Sequence, residues 1–172
     1  MNIFCGIDPG LTGALAFLNT KTSTLAVYDM PVVKVTTGDS TRSRLVPEKL
    51  RDLFDQEAPD TALIEKVHST PNDGHVGAFT FGKATGLVIG CMVGMDIPFD
   101  ETTPGKWKKD LRVPADKEMA VHVASRLFPK CRGLWTRKKD HGRAEAALIA
   151  LYLAVKNGFV PSQPILPRIT DV

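Results

Sequence analysis

The first thirty residues alternate between short apolar runs and turn-forming residues, at a spacing too tight for helices. Ile3 to Ile7 ends on Asp8-Pro9-Gly10, Gly13 to Leu18 is a second run, and Leu25 to Met30 follows Asn19-Thr20-Lys21-Thr22-Ser23. Apolar runs of this length bounded by turn residues read as strands, and three in succession as a β-meander. Val32 to Arg44 is polar, rich in Thr and Ser, and is expected to be a mobile loop. The period then changes: Pro47 suits the first turn of a helix, with Leu50, Leu53 and Phe54 on one face and Pro59 beyond its end. Thr61-Ala62-Leu63-Ile64 reads as a short buried strand that closes on Glu65, and Lys66 to His75 is a loop by composition.

Ala78 to Met95 reads as a helix with Gly82, Gly86, Gly90 and Gly94 on one face. Each glycine costs a helix about 1 kcal/mol relative to Ala, so four need a packing reason, either a seam against the sheet or a subunit contact. Pro98 makes Ile97 to Glu101 an edge strand. Thr103-Pro104 opens a short helix carrying Trp107 among Lys106, Lys108 and Lys109, and Pro114 opens a longer one from Ala115 to Phe128. Lys130 to Lys139 is a basic loop holding Trp135. The last helix, about Gly142 to Lys156, is apolar on nearly every face and stops at Asn157-Gly158. These elements give one domain over residues 1–158, followed by a proline-rich tail, 159–172, expected to be extended or disordered.

Composition narrows the class. A chain of 172 residues buries a core without staples, and three widely spaced cysteines form neither a disulfide framework nor a zinc motif. No basic segment with an apolar stretch opens the chain, and its apolar segments are interrupted short of a membrane span. The expectation is a soluble, unexported cytoplasmic protein with reduced thiols and without a membrane partner. Net charge is +3, but Pro104 to Arg143 carries 12 Lys/Arg against 4 Asp/Glu and leaves 10 against 15 elsewhere. A basic stretch of that density points to a polyanion such as nucleic acid, against the plainer reading of a solvated basic face.

Three acids stand out against this pattern. Asp8 and Glu65 each end a strand that reads as buried, and a buried carboxylate must be paired, hydrogen-bonded or bound to metal. Taken alone, Asp8 could cap the Pro-Gly turn. Glu145 opens an otherwise apolar helix with His141 one turn earlier, and alone it could simply complement the helix dipole. Together, three acids from separate parts of the chain suit a hard divalent cation such as Mg²⁺ or Mn²⁺. Crowded carboxylates repel one another without an ion, so stability and metal affinity should be coupled.

Five blocks carry a family resemblance: Gly6-Ile7-Asp8-Pro9-Gly10-Leu11-Thr12-Gly13-Ala14, Ile64-Glu65-Lys66-Val67-His68, Thr103-Pro104 with Trp107-Lys108-Lys109, Leu127-Phe128-Pro129, and Gly142-Arg143-Ala144-Glu145-Ala146. Through them the chain resembles the RuvC-type Holliday junction resolvases of the ribonuclease H-like superfamily, and looks closest to phage-encoded members. The resemblance implies an α/β ribonuclease H-like fold: a mixed five-stranded sheet, antiparallel meander plus parallel strands, flanked by helices. It implies a homodimer that nicks opposite strands of a four-way DNA junction, with two Mg²⁺ per active site and Mn²⁺ as a substitute.

The family's ligands carry over as Asp8, Glu65 and Glu145, with His141 favoured as the fourth and Asp140 as the alternative, because Gly142 at the intervening position cannot ligate. His68 stands where bacterial relatives insert an aromatic side chain at the junction centre. Lys66, Lys83, Lys106, Lys108, Lys109, Arg137, Lys138, Lys139 and Arg143 are candidates for phosphate contacts. One rival keeps the fold and widens the substrate to branched, flapped or RNA–DNA hybrid nucleic acid. Another follows from Asp8-Pro9-Gly10-Leu11-Thr12-Gly13, which also resembles the phosphate-binding turn of sugar kinases and actin-like ATPases; those need a duplicated domain that this length does not hold. No small-molecule substrate is expected.

Overall fold

The computed structural model describes residues 1–66 and 74–168, with the backbone alone for Lys117 and Glu118. The opening meander forms as β1 (Ile3–Asp8), β2 (Ala14–Asn19) and β3 (Thr24–Asp29), paired antiparallel in sequence order. A hairpin of β4 (Val32–Thr37) and β5 (Ser40–Leu45) follows, then α1 (Pro47–Glu57), β6 (Thr61–Glu65) and α2 (His75–Gly94). The chain continues through β7 (Phe99–Thr102), α3 (Pro104–Asp110), α4 (Lys117–Leu127) and α5 (His141–Lys156), and closes on β8 (Leu166–Pro167). Two 3₁₀ segments, Pro129–Trp135 and Lys138–Asp140, occupy the stretch expected as a basic loop.

Among the described residues one sheet runs in the order β7-β6-β1-β2-β3-β8, with β6 parallel to both β1 and β7. The five expected strands are all present. The sixth comes from the C-terminal segment, which is extended but docked: β8 pairs with β3, Ile165 is buried, and Arg168 reaches back to Glu57. Glu57 is itself buried and accepts a 2.6 Å hydrogen bond from the Tyr28 hydroxyl. Burial, then Glu57, pushes that phenol up to about 12.

Alternation along the strands sends side chains to two cores. Phe4, Ala16, Val27 and Leu63 face α4 and α5, whereas Cys5, Ile7, Phe17, Ala62 and Ile64 face α1 and α2. Gly6 explains how closely α5 lies on β1. A Cβ there would stand 2.2 Å from the carbonyl oxygen of Ala146 and from the backbone nitrogen of Ala150. Covered by the sheet and by α4, α5 is apolar all round because it is buried all round.

One expectation is corrected here, and one of two alternatives is excluded. The segment from Val32 to Arg44 is a hairpin: Val33 and Val35 alternate with polar residues, and Gly38, with φ +58°, takes the first position of a two-residue turn with Asp39. On α2, the glycines do not form a seam against the sheet. A Cβ at Gly82, Gly86, Gly90 or Gly94 would meet nothing within 4 Å, and Ala84, Val88 and Met92 make the buried face. Their helix is also long and apolar enough, by length and composition alone, to cross a membrane, because glycine does not interrupt it and Lys83 is its only charge.

Candidate active site

Strand parity and register bring the first two acids together. Asp8 shares the α5-facing parity of Phe4 and Gly6, and Glu65 shares that of Leu63. The parallel register sets Ile7 opposite Ile64, so the next residues, Asp8 and Glu65, leave adjacent strand ends on the same face. In open α/β sheets the carboxyl ends of parallel strands are where ligands bind.

The turn after Asp8 is packed around its carboxylate. Oδ1 accepts the Gly10 N–H at 3.2 Å, and a Cβ at Gly13 would fall 2.7 Å from the Asp8 Cγ. The head of α5 meets the same turn: a Cβ at Gly142 would lie 3.0 Å from Asp8 Oδ2 and 2.9 Å from the Thr12 carbonyl oxygen. Glycine at 142 therefore lets the helix start against Asp8, and Glu145 follows one turn on, 6% exposed.

Successive residues of α3 serve the two remaining acids. The fully buried Trp107 donates its indole N–H to Glu65 Oε1 at 2.8 Å, while Lys108 Nζ lies 2.7 Å from Glu145 Oε1 and 5.2 Å from the centre of the Trp107 ring. Burial raises the Glu65 carboxyl, Asp8 and Glu145 push it further, and the Trp107 hydrogen bond and Lys108 pull against them; the result is about 7 against an ordinary 4.5. Across the β6–β7 register from Glu65, Thr102 has a buried hydroxyl with no hydrogen-bond partner among the described residues. An unpaired buried hydroxyl costs about 1–3 kcal/mol unless something polar meets it.

These observations fit a hard cation. Oxygen donors converge from three elements, their mutual repulsion is visible at Glu65, and an orphan hydroxyl stands beside them. As the side chains stand, no three His, Cys, Asp or Glu among the described residues are grouped tightly enough to hold an ion. Glu65 is turned to Trp107 and Glu145 to Lys108, whose ammonium supplies the positive charge.

The two candidates for a fourth ligand differ in their partners. Asp140 is 3% exposed, takes a forked pair from the Arg137 guanidinium at 2.8 and 3.0 Å, and accepts the Arg137 backbone N–H at 2.9 Å. These bonds hold its carboxyl below the usual range against the effect of burial, the largest single influence. His141 is half-buried at the start of α5, with Nδ1 3.4 Å from the Lys138 carbonyl oxygen.

The cationic candidates divide similarly. Lys106, Lys109, Lys138 and Lys139 are exposed, and Lys66 makes only a loose 3.8 Å pair with Glu101. Arg143, however, is forked onto Asp29 at 2.6 and 2.7 Å and bonds the Leu134 carbonyl, fastening α5 to the end of β3. His68 lies outside the described residues. Sequence reasoning placed Trp107 in a basic helix but missed its hold on Glu65, for which its position immediately before Lys108 was the available signal.

The family profile described as "Crossover junction endodeoxyribonuclease RuvC" matches residues 4–132, which include Asp8, Glu65 and the Trp107–Lys108 pair; α5 and Glu145 lie beyond it. The chain is 36% identical over 101 residues to "Holliday junction resolvase MOC1, chloroplastic" of Chlamydomonas reinhardtii, a match spanning 56% of this chain and 12% of that protein. It is 30% identical over 111 residues to "Crossover junction endodeoxyribonuclease RuvC" of Petrotoga mobilis, spanning 62% of this chain and 66% of the relative. The fold matches the solved structure of "T. thermophilus RuvC in complex with Holliday junction substrate" with a TM-score of 0.61 at 16% identity, covering 92% of this chain and 97% of that one. With its strand-end acids inside a family match that spans residues 4–132, the chain belongs to the RuvC family of crossover junction endodeoxyribonucleases.

Proposed function

We propose that the protein is a metal-dependent endonuclease that resolves four-way DNA junctions. The observation that carries this is the convergence of Asp8, Glu65 and Glu145 at the ends of two parallel strands and the head of α5. Asp8, Glu65, Glu145 and His141 are the assigned ligands. The Arg137 fork supports a structural role for Asp140 instead. Two Mg²⁺ or Mn²⁺ ions bound there would polarise the attacking water and stabilise the leaving oxygen of a phosphodiester, giving 5′-phosphate and 3′-hydroxyl ends.

The chain's own groups do the rest. Trp107 holds Glu65 by one oxygen and leaves the other available, and Lys108 can release Glu145 toward an ion and turn its ammonium to a scissile phosphate. Lys66, Lys106, Lys109, Lys138 and Lys139 contact the phosphate backbone, which positions DNA without reading its sequence.

Resolution needs paired cuts, and α2 offers the surface for a homodimer. Its glycine face is open, and Val93 beside it is 61% exposed. An exposed apolar residue beside a groove that admits close backbone approach suits a second copy of the same helix.

A substrate panel tests the reading. With Mg²⁺, the protein is expected to nick a static four-way junction at paired positions, and a fork or an RNA–DNA hybrid much more slowly. Equal cutting of all three would replace resolution with general branched-substrate cleavage, and no cutting of any would remove the nuclease.

A further inference from the structure

A cleft of about 770 Å³ lies beside the acids, not over them. Leu11, in the turn that follows Asp8, forms one end, and the β4–β5 hairpin and the first half of α2 form its walls. Most of the hairpin side chains that line it belong to one face, with Ser43 and Leu45 from the other. Val33 pairs with Arg44 and Val35 with Arg42, so both arginines share the face of Val35, Thr37 and Ser40, which lines the cleft. Lys34, opposite Ser43, has the other parity. From the facing helix Lys83 completes three cations around one groove, and none of the three has an acidic partner among the described residues.

A hairpin with Val33, Val35 and nearly every other residue exposed is costly to leave standing alone, since a two-stranded ribbon is marginal in water without a face to pack. Its charge points to the occupant. The geometry points to a phosphate clamp: Arg42 and Arg44 of the hairpin, with Lys83 of α2, grip the backbone of one duplex arm and lead it past Leu11 to Asp8. The clamp rests on the nuclease reading and adds an element outside the basic stretch of residues 104–143. It reads phosphate spacing and not bases, because the groove-facing hydroxyls of Thr37 and Ser40 and the guanidinium pair suit backbone oxygens at any sequence.

Salt-dependent binding separates the outcomes. Affinity for a fixed four-way junction, measured by fluorescence anisotropy in EDTA so that no strand is cut, is compared for the wild-type chain and the Arg42→Gln/Arg44→Gln variant. Loss of two phosphate contacts lowers the slope of log affinity on log salt by about 1.8. Between 50 and 200 mM salt the wild type should then lose roughly twelve-fold more affinity than the variant. Arg42→Lys/Arg44→Lys should restore the slope, and Lys34→Gln on the opposite face should change it less. An unaltered slope in the double variant overturns the clamp while leaving the nuclease standing. A change of oligomeric state by sedimentation with no change of slope also overturns it, by putting a second copy in the groove. A wild-type chain that neither binds nor nicks any branched DNA defeats both.

Discussion

Replacing Glu65 by Gln should stabilise the metal-free protein, and by an amount the site's electrostatics set. The Glu65 carboxyl titrates near 7 where an unfolded chain gives 4.5, chiefly through burial and then through Asp8 and Glu145. A folded value raised above the unfolded one means that stability is fully present below about pH 4.5 and is lost as pH rises through about 7. At 1.36 kcal/mol per pKa unit the full difference is about 3 kcal/mol, and solvent screening at this partly open site brings it to roughly 2 kcal/mol. The replacement amide would keep an oxygen for the Trp107 N–H and carry no charge. Above pH 8 without metal, the Glu65→Gln variant should therefore melt roughly 4–8 °C above the parent, the shift that roughly 2 kcal/mol gives a chain of this size. At pH 4.5 the two should coincide. Mg²⁺ should raise the parent's melting point and the variant's much less. Thermal melts followed by circular dichroism at both pH values, with and without Mg²⁺, measure all of this. A variant no more stable than the parent at pH 8, or one equally stabilised at pH 4.5, would refute the raised Glu65 carboxyl and its buried setting.

Lys108→Met should cost about 3 kcal/mol in urea melts of the metal-free protein, because it leaves Glu145 buried without its cation, and Mg²⁺ should recover part of the loss. No loss would mean that the pair is dispensable. Gly6→Ala should cost roughly 3 kcal/mol or more, since its Cβ meets α5 backbone at 2.2 Å; a soluble variant with unchanged melting would contradict that packing. Truncation after Gly158 removes β8 and the Arg168 partner of Glu57, and should lower stability by about 3 kcal/mol by the same denaturation assay.

The site was legible in the sequence to the extent that it obeys parity. Asp8 and Glu65 each end an apolar strand, and once those strands pair in parallel the two carboxylates must share a face. Glu145 was legible as the one acid near the head of an apolar helix, although its approach to Asp8 depends on Gly142 and Gly6, whose role appears only when helix and sheet are in contact. The hairpin escaped because the composition of its Thr- and Ser-rich stretch outweighed its alternation, with Val33 and Val35 separated by one residue and Gly38-Asp39 marking the turn. Partner choice escaped altogether. Nothing local says that Arg143 is taken by Asp29, 114 positions away, or that Arg168 crosses to Glu57, and both ties follow from the way β3, β8 and α1 meet. The glycine face of α2 was open to two readings, and only the packing of Ala84, Val88 and Met92 on the sheet turned it outward.

The most direct test of the central claim is strand nicking of a four-way junction by the Asp8→Asn variant, with junction affinity measured on the same preparation. The substituted amide keeps the side-chain oxygen that accepts the Gly10 N–H and loses the charge that an ion requires. The predicted result is a loss of nicking of about a thousand-fold or more, as for removal of an essential group in a concerted site, with affinity nearly unchanged. Nicking at the parent rate would contradict the placing of the metal site at Asp8.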